Sequence, residues 1–250
     1  VNVGVIGLGM IGETMKHVLG FYHTVYGFDI AKPCDPWDSM LKTDVVFICV
    51  PTPVVDGRLN HGIVESVLGK LEDSGYEVVV SIKSTLGLGY GEHLSDYGLS
   101  VVVNPEFLHE KTRLSDYSSP SIIVLGGKLK DTSAVLKVFN WVPRETRVIE
   151  TSYNTAILIK LVMNAYASTK ITFANQVKRI SDETGSNAGT IMGALAMDKR
   201  CSKEYSNPYK GAFGGACLPK DLQELMNGCE NNALWTTVWG LNEAFRRDYG

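Results

Sequence analysis

Cysteine is scarce in this chain and forms no pattern. Five occur in 250 residues, at Cys34, Cys49, Cys201, Cys217 and Cys229, and no two stand in CxxC spacing. An odd count, with Cys49 inside an apolar run, argues for reduced thiols in a cytoplasmic protein and against a disulfide framework. Charge of one sign is also lacking. Twenty-four Lys and Arg are interspersed with 27 Asp and Glu for a net charge of −3, so no basic stripe suggests nucleic acid and no polybasic arm suggests a membrane surface. The five histidines are scattered without ligand spacing, and no metal is expected. The N-terminal "VNVGVIGLGMIG" has no basic lead and is broken by glycines, which fits neither a signal peptide nor a membrane span. What remains is an ordinary globular composition, 44% hydrophobic and 20% charged, long enough for one large domain or two modest ones.

Two rhythms divide the sequence. Up to about residue 150, short β-branched runs ("VNVGVIG", "TVYGFD", "DVVFICV", "EVVVSIK", "LSVVVNP", "PSIIVLGG") alternate with helical or loop segments. Near-continuous apolar runs suit strands buried on both faces, so the spacing predicts an α/β domain, a Rossmann-type doubly wound parallel sheet, over 1–150. Pro33 and Pro36 discourage a full helix between Asp29 and Asp44. From Thr151 to Gly185 there is no proline, and Ile157, Leu161, Ala165, Ile171, Ala174 and Val177 recur at helical spacing. That predicts one long helix opening an all-helical domain over 151–250. Ser186 is the expected cap of a shorter helix ending at Met197. A glycine-rich loop from Asp198 to Leu218 is then followed by helices over about 219–229 and 233–247.

Directly after the first run, "GLGMIG" sets Gly7, Gly9 and Gly12 in GxGxxG spacing. The first glycine permits the tight turn, the second lets a pyrophosphate approach the backbone, and the third allows close helix–strand packing. The helix N-terminus faces the phosphate charge. Asp29 follows at the end of the second run, where a carboxylate accepts hydrogen bonds from ribose hydroxyls and repels a 2′-phosphate; the pattern points to NAD rather than NADP. "CVPTP" (49–53) reads on its own as a proline-stiffened turn. Lys83, Ser84 and Thr85 end one run, and Asn104, Glu106 and Glu110 follow another. These polar groups fall where an open α/β sheet meets its ligand, though each taken singly reads equally as surface loop.

"GGACLPKD" (214–221) places Cys217 just outside a helix that Pro219 would open, with Lys220 and Asp221 in its first turn. The helix dipole and the ammonium both favour the thiolate, so this thiol is expected to be nucleophilic, whereas Cys49 reads as a small buried hydrophobe. Lys160 and Asn164 stand at i and i+4 on one helix face; the lysine reads equally as a snorkelling side chain on a solvated stripe. A hydride acceptor, a thiolate, carboxylates and a partly buried lysine together make a consistent catalytic set.

The stretches "VGVIGLGMIG", "CVPTP", "KSTL", "NPEFLHE", "IKLVMNAYASTKITFANQV" and "FGGACLPKD" occur in the order of the UDP-glucose/GDP-mannose dehydrogenases, a family this chain resembles along nearly its whole length. The pairing of "NPEFL" with "GGACLPKD" is highly specific. The resemblance implies NAD-dependent, four-electron oxidation of a nucleotide-sugar alcohol to the carboxylate, in nucleotide-sugar metabolism serving polysaccharide biosynthesis. It implies that Cys217 is the nucleophile that traps the aldehyde as a thiohemiacetal before a thioester forms. It assigns Lys160, with Asn164 beside it, to the developing oxyanion. Asp221 and Glu106 are assigned to protons and water, and Thr85 to positioning that water. By the same resemblance the cofactor contacts are Gly7, Gly9, Met10, Ile11, Gly12, Asp29, Val50, Pro51, Thr52, Thr85, Glu106 and Lys220. The substrate contacts are Phe107, Leu108, Glu110, Lys160, Asn164, Arg200, Phe213, Gly214 and Gly215, with Arg200 reaching the partner's substrate across a homodimer built on the long helix.

Departures from the family pattern accompany the likeness. Ser121 replaces an arginine, His109 and Lys111 stand where arginine and glycine are usual, and the segment from Asp29 to Asp44 is short. The sequence is expected to be a short form, without the family's C-terminal nucleotide-binding domain. Two other readings stay open: a two-electron β-hydroxyacid-type dehydrogenase, which shares the plan and a catalytic lysine but needs no cysteine, and a non-catalytic NAD-binding and dimerising fragment.

Overall fold

The structure is a computed structural model and describes residues 1–249. Each apolar run becomes a strand because its side chains are covered on both faces. In β3 (Val45–Ile48) all four residues are buried, as are four of the five in β1 (Asn2–Ile6). Along the chain, β1 leads to α1 (Met10–Leu19), β2 (Thr24–Phe28), a 3-10 turn (Trp37–Lys42) and β3. The hairpin β4 (Val54–Val55) and β5 (Arg58–Leu59) follows, then α2 (Gly62–Asp73), β6 (Val79–Ile82), α3 (Tyr90–His93) and β7 (Ser100–Val103). The sheet is completed through α4 (Arg113–Ser118), β8 (Ile122–Gly127), α5 (Leu129–Val138) and β9 (Arg147–Thr151).

The seven-stranded sheet has the order β2-β1-β3-β6-β7-β8-β9. Its strand order reverses at β1, which lies between β2 and β3, and the glycine loop leaves the carboxyl end of that strand. The sheet is the expected doubly wound, mostly parallel one, with a single antiparallel pairing. β8 runs antiparallel to β7, meeting it only through Val102↔Gly127 and Val103↔Gly126, and β9 then pairs parallel to β8. The chain from β7 to β8 carries only the six-residue α4 and not a full crossover helix, so the direction reverses there. One face of the sheet is covered by Met15, Val18, Leu19, Tyr117, Val135 and Phe139, which close on Val3, Phe47 and Val102. Fully burying one such side chain contributes roughly 1.5–3 kcal/mol.

The chain separates into two compact units. Val1–Val55 with Leu59–Lys160 forms the first, and Asp56–Arg58 with the chain from Leu161 onward forms the second. The second unit is helical: most of α6 (Tyr153–Thr184), then α7 (Ala188–Met197), α8 (Leu218–Gly228) and α9 (Ala233–Tyr249). The cap of α7 is Asn187, whose side chain accepts from Thr190 N at 2.8 Å; Ser186, the expected cap, lies one residue too early. Pro219 falls in the first turn of α8, with Cys217 as the N-cap residue.

Asp56 and Gly57 turn the small hairpin with φ of +50° and +76°, the two left-handed residues that a type I′ turn requires. A Cβ on Gly57 would lie 2.6 Å from Asn227 Nδ2, and that amide donates to Gly57 O at 3.0 Å. Beside it Arg58 grips Glu224 of α8 through Nε (3.1 and 3.2 Å) and Nη2 (2.9 Å). Glu224 is 1% exposed, so losing the guanidinium would take the counter-charge from a buried carboxylate. Arg58→Met should therefore cost about 3 kcal/mol in urea unfolding, and adding Glu224→Leu should recover most of that loss.

Candidate active site

In the first unit the glycine loop has the stereochemistry its spacing foretells. Gly7 sits at φ +91°, and a Cβ there would come within 2.8 Å of the Cys49 carbonyl. A Cβ on Gly12 would lie 1.9 Å from Gly7 O, which leaves α1 no room to carry any side chain at that contact. Gly9 differs. It is the N-cap residue of α1, and a Cβ there would meet no protein atom within 4 Å. Space in front of a helix N-terminus that only a glycine borders is the shape a pyrophosphate needs.

Asp29 follows β2 and accepts from Ala31 N (2.8 Å, Oδ1) and Leu8 N (2.6 Å, Oδ2). Those two N–H groups hold its carboxyl below the usual range, so it faces the loop as an anion. Lys32 donates to Leu8 O at 2.6 Å and pairs with Glu13 of α1. Of the other expected cofactor contacts, Met10 is exposed and Ile11 packs on the core. Beyond β3, Val50 O accepts from Ser84 Oγ at 2.7 Å, Pro51 is exposed and Thr52 is buried. These residues fit a bound dinucleotide.

Past the end of β7, Glu106 accepts from Lys160 Nζ at 2.9 Å through Oε1 and from Leu108 N at 2.7 Å through Oε2. The side chains are only 11% and 6% exposed, and the Phe107 ring centroid lies 5.7 Å from the ammonium. Burial pushes the Glu106 carboxyl up, but the Lys160 charge, the Leu108 N–H and Lys83 outweigh it, and the group ends below its ordinary range. The lysine is thus no snorkelling side chain. Thr85 is half-buried two residues after Lys83, Leu108 packs on the core, and Glu110 is exposed. Cys49 lies 3.6 Å from Met15 Sδ, and burial pushes its thiol up to about 12. It is no nucleophile at neutral pH.

In the second unit Asn164 of α6 donates to Asp221 Oδ2 at 2.5 Å, and Lys220 Nζ lies 3.0 Å from Oδ1 of the same fully buried carboxylate. Lys220, expected to support the thiolate and the cofactor, therefore shares its charge with Asp221. Cys217 is exposed at the N-cap of α8. Phe213 is buried, with its N donating to Asn242 Oδ1 at 2.8 Å and its O accepting from Arg246 Nη2 at 2.7 Å. Gly214 and Gly215 continue from that anchor, Gly215 at φ +79°. Arg200 is exposed and folds back on Asp198 (2.9 and 2.6 Å), joining none of the other site residues. Asn242 and Arg246 escaped sequence reasoning. On paper they are polar positions of an amphipathic helix, and only the fold shows that they hold Phe213, the residue before Gly214 and Gly215.

Among the described residues no group of three or more His, Cys, Asp or Glu could hold a metal ion, and no helix is long and apolar enough to cross a membrane. A glycine cradle on a doubly wound sheet, with an anionic residue after β2 and a helical unit beyond, defines a dinucleotide-binding protein of the α/β-plus-helical kind. Residues 34–141 match the NAD binding domain, and residues 154–245 the central domain, of the UDP-glucose/GDP-mannose dehydrogenase family. The chain belongs to that family, and NAD is its cofactor. The glycine loop itself precedes the matched stretch.

A UDP-glucose 6-dehydrogenase from Rickettsia conorii is 29% identical over 205 residues, covering 79% of this chain and 47% of that protein. The structure of a UDP-glucose dehydrogenase from the archaeon Pyrobaculum islandicum superposes with a TM-score of 0.84 at 27% identity, covering 98% of this chain and 68% of that one. A 3-hydroxyisobutyrate dehydrogenase from Mycobacterium tuberculosis shares the fold at 16% identity (TM-score 0.76), covering 99% of this chain and 94% of that one. The chain spans about half the length of the curated UDP-glucose 6-dehydrogenases it matches.

The two glycines separate binding from folding. Gly9→Ala should leave the melting temperature unchanged yet weaken NAD binding about tenfold in calorimetry. Gly12→Ala should destabilise the first unit itself, by about 2 kcal/mol or more.

Proposed function

We propose that this chain carries out NAD-dependent oxidation of a nucleotide-sugar primary alcohol to the carboxylate, in two successive two-electron steps. The observation that carries this reading is the first turn of α8. An exposed cysteine caps it, and one turn on a buried carboxylate is held by an amide and an ammonium. A spectator surface loop has no use for a fully desolvated Asp221 beside an accessible thiol. NAD, when bound, supplies the hydride acceptor for each oxidation.

The chain's own residues do the rest. After the first oxidation Cys217 Sγ adds to the aldehyde carbon, so the intermediate stays bound as a thiohemiacetal. The second oxidation leaves a thioester, which water cleaves to the acid and the free thiol. Lys160 and Asn164 donate to the oxygen on which negative charge develops. Glu106 and Asp221 take and return protons, and Thr85 orients the attacking water. Phe213, Gly214 and Gly215 close on the sugar; Phe107, Leu108 and Glu110 contribute further substrate contacts. Residues 1–150 serve as the NAD domain and 151–250 as the helical domain.

The assembly we propose is a homodimer through α6. Val162, Tyr166, Phe173 and Ile180 are all exposed and fall on one stripe of that helix, at intervals of four and seven residues. In the dimer Arg200 exchanges Asp198 for the partner's bound nucleotide. A second reading, a two-electron β-hydroxyacid-type dehydrogenase, draws support from the fold and matching length of the hydroxyisobutyrate enzyme.

A panel of UDP- and GDP-sugars tests the first reading. Two NADH per sugar, lost in Cys217→Ser, is the expected result; one NADH per substrate with Cys217→Ala fully active would favour the second. No NADH from any sugar, with NAD still bound, would mark a binding and dimerising core. Phe173→Glu should convert the dimer to a monomer in sedimentation, weakening association at least about 100-fold, while NAD binding persists.

A further inference from the structure

The loop that leads into α8 is pinned at one residue. Phe213 is buried, while Gly214, Gly215, Ala216 and Cys217 after it are all exposed. Gly211 and Gly215 bracket the segment at φ +85° and +79°, and a Cβ on either would meet nothing within 4 Å beyond its chain neighbours. These two glycines therefore serve the turn of the backbone and not a tight fit. A Cβ on Gly214 would meet the Arg246 guanidinium at 3.8 Å. A stretch with so few side chains has little to fix its own shape, so its order must come from the helices around it.

That order comes mainly from one face of α9. Trp239, Asn242 and Arg246 stand at i, i+3 and i+7, and all three meet Phe213. The Trp239 ring packs edge-on, with its centroid 6.4 Å from that of Phe213. Asn242, 1% exposed, accepts from Phe213 N at 2.8 Å through Oδ1 and donates to Phe213 O at 3.2 Å through Nδ2. Both main-chain groups of one residue are thus paired, as a neighbouring strand would pair them. Arg246 Nη2 donates to the same carbonyl at 2.7 Å, and Glu243 braces the guanidinium through Nη1 at 3.1 Å. The Gly211 end is held less firmly: Asn175 of α6 donates to Gly211 O at 3.1 Å, and its own Oδ1 has no partner among the described residues. An amide on a buried helix face costs stability unless it is bonded, so packing alone would favour an apolar side chain at 242.

We propose that Asn242 and Arg246 are positioning residues for the nucleotide-sugar oxidation: acting through the main chain of Phe213, they fix the 211–215 loop in the shape that meets the sugar. This rests on the reading above, in which Phe213, Gly214 and Gly215 close on the sugar. The hold on the loop is measurable without turnover. Groups that meet a remote part of the substrate contribute alike to its ground state and its transition state, so a loosened loop shows in KM and hardly in kcat.

The two side chains differ in what their loss does to the fold. Arg246 is partly exposed, and removing it takes one bond from Phe213 O while the Asn242 contacts remain. Removing the Asn242 amide leaves the N–H of a buried residue without its acceptor, a costlier change. Arg246 is therefore the cleaner probe.

The test combines amide hydrogen exchange, read by mass spectrometry, with steady-state kinetics on the full chain, in wild type, Arg246→Ala, Arg246→Lys and Asn242→Ala. In Arg246→Ala the amides of residues 211–216 should exchange about tenfold faster, while those of residues 7–12 keep their wild-type rates. The KM for the nucleotide sugar should rise about tenfold, with kcat within about threefold of wild type and the KM for NAD unmoved. Arg246→Lys, which keeps a charged donor, should recover most of both effects. Asn242→Ala should exceed Arg246→Ala in both, and if it does not fold the two Arg246 variants still decide. Unchanged exchange in Arg246→Ala overturns the proposal. So does faster exchange with an unmoved sugar KM, which would make the contacts purely structural. Absence of turnover with every nucleotide sugar in the wild type would count against the proposed function, while the exchange rates still decide whether the two side chains hold the loop.

Discussion

Buried charge governs this molecule, and the Glu106–Lys160 bond is where the constraint is tightest. A carboxylate and an ammonium have been taken out of water together at 2.9 Å, with one further N–H and an aromatic face around them. Removing either partner would take a direct bond and a facing charge from a buried ion in an apolar setting. The pair joins the loop after β7 to the opening turns of α6, within the first unit. The Lys160 charge, with the Leu108 N–H and Lys83, keeps Glu106 ionised there.

The same economy recurs in the second unit with different partners. The buried face of α8 carries Asp221 and Glu224 three residues apart among Leu222 and Leu225. Two carboxylates on one helix face would repel in a dry environment, and each has its own partners: the Asn164 amide and the facing Lys220 charge for the first, Arg58 for the second. A helix built this way depends on groups distant in sequence. Arg58 arrives by way of a two-residue turn that only Asp-Gly-type chemistry makes comfortable.

How much of this the sequence discloses depends on whether burial shows in residue type. β1, β3, β6 and β7 are plain on paper because strands covered on both faces are continuous apolar runs. The glycine loop is plain because only glycine meets its steric demands. β9 is not legible: "RVIET" is an exposed or half-exposed edge strand, and its charges read as a linker at the domain boundary. The reversal at β8 is invisible because a buried strand looks the same in either direction. The hairpin was readable from "VVDGRL" but lies beside the more conspicuous "CVPTP". At the site, sequence picks out Glu106, Lys160, Asn164, Cys217 and Asp221 as chemically apt. It does not reveal that Glu106 bonds Lys160 or that Asn164 bonds Asp221, for those pairs are 54 and 57 residues apart. Asp221 and Glu224 look like a solvated stripe on an amphipathic helix, and only packing shows them to be interior.

The order of strands in the sheet bears on how the chain acquires its structure. The most widely separated pairing is that of β1 with β3, where Val3 meets Val45. Every later strand adds to the one completed just before it, from β6 on β3 to β9 on β8. Each strand therefore finds its neighbour among residues already made, and nothing in the sheet awaits a residue beyond Thr151. As the polypeptide leaves the ribosome, the sheet can therefore close from its N-terminal side outward while α7, α8 and α9 are still being translated.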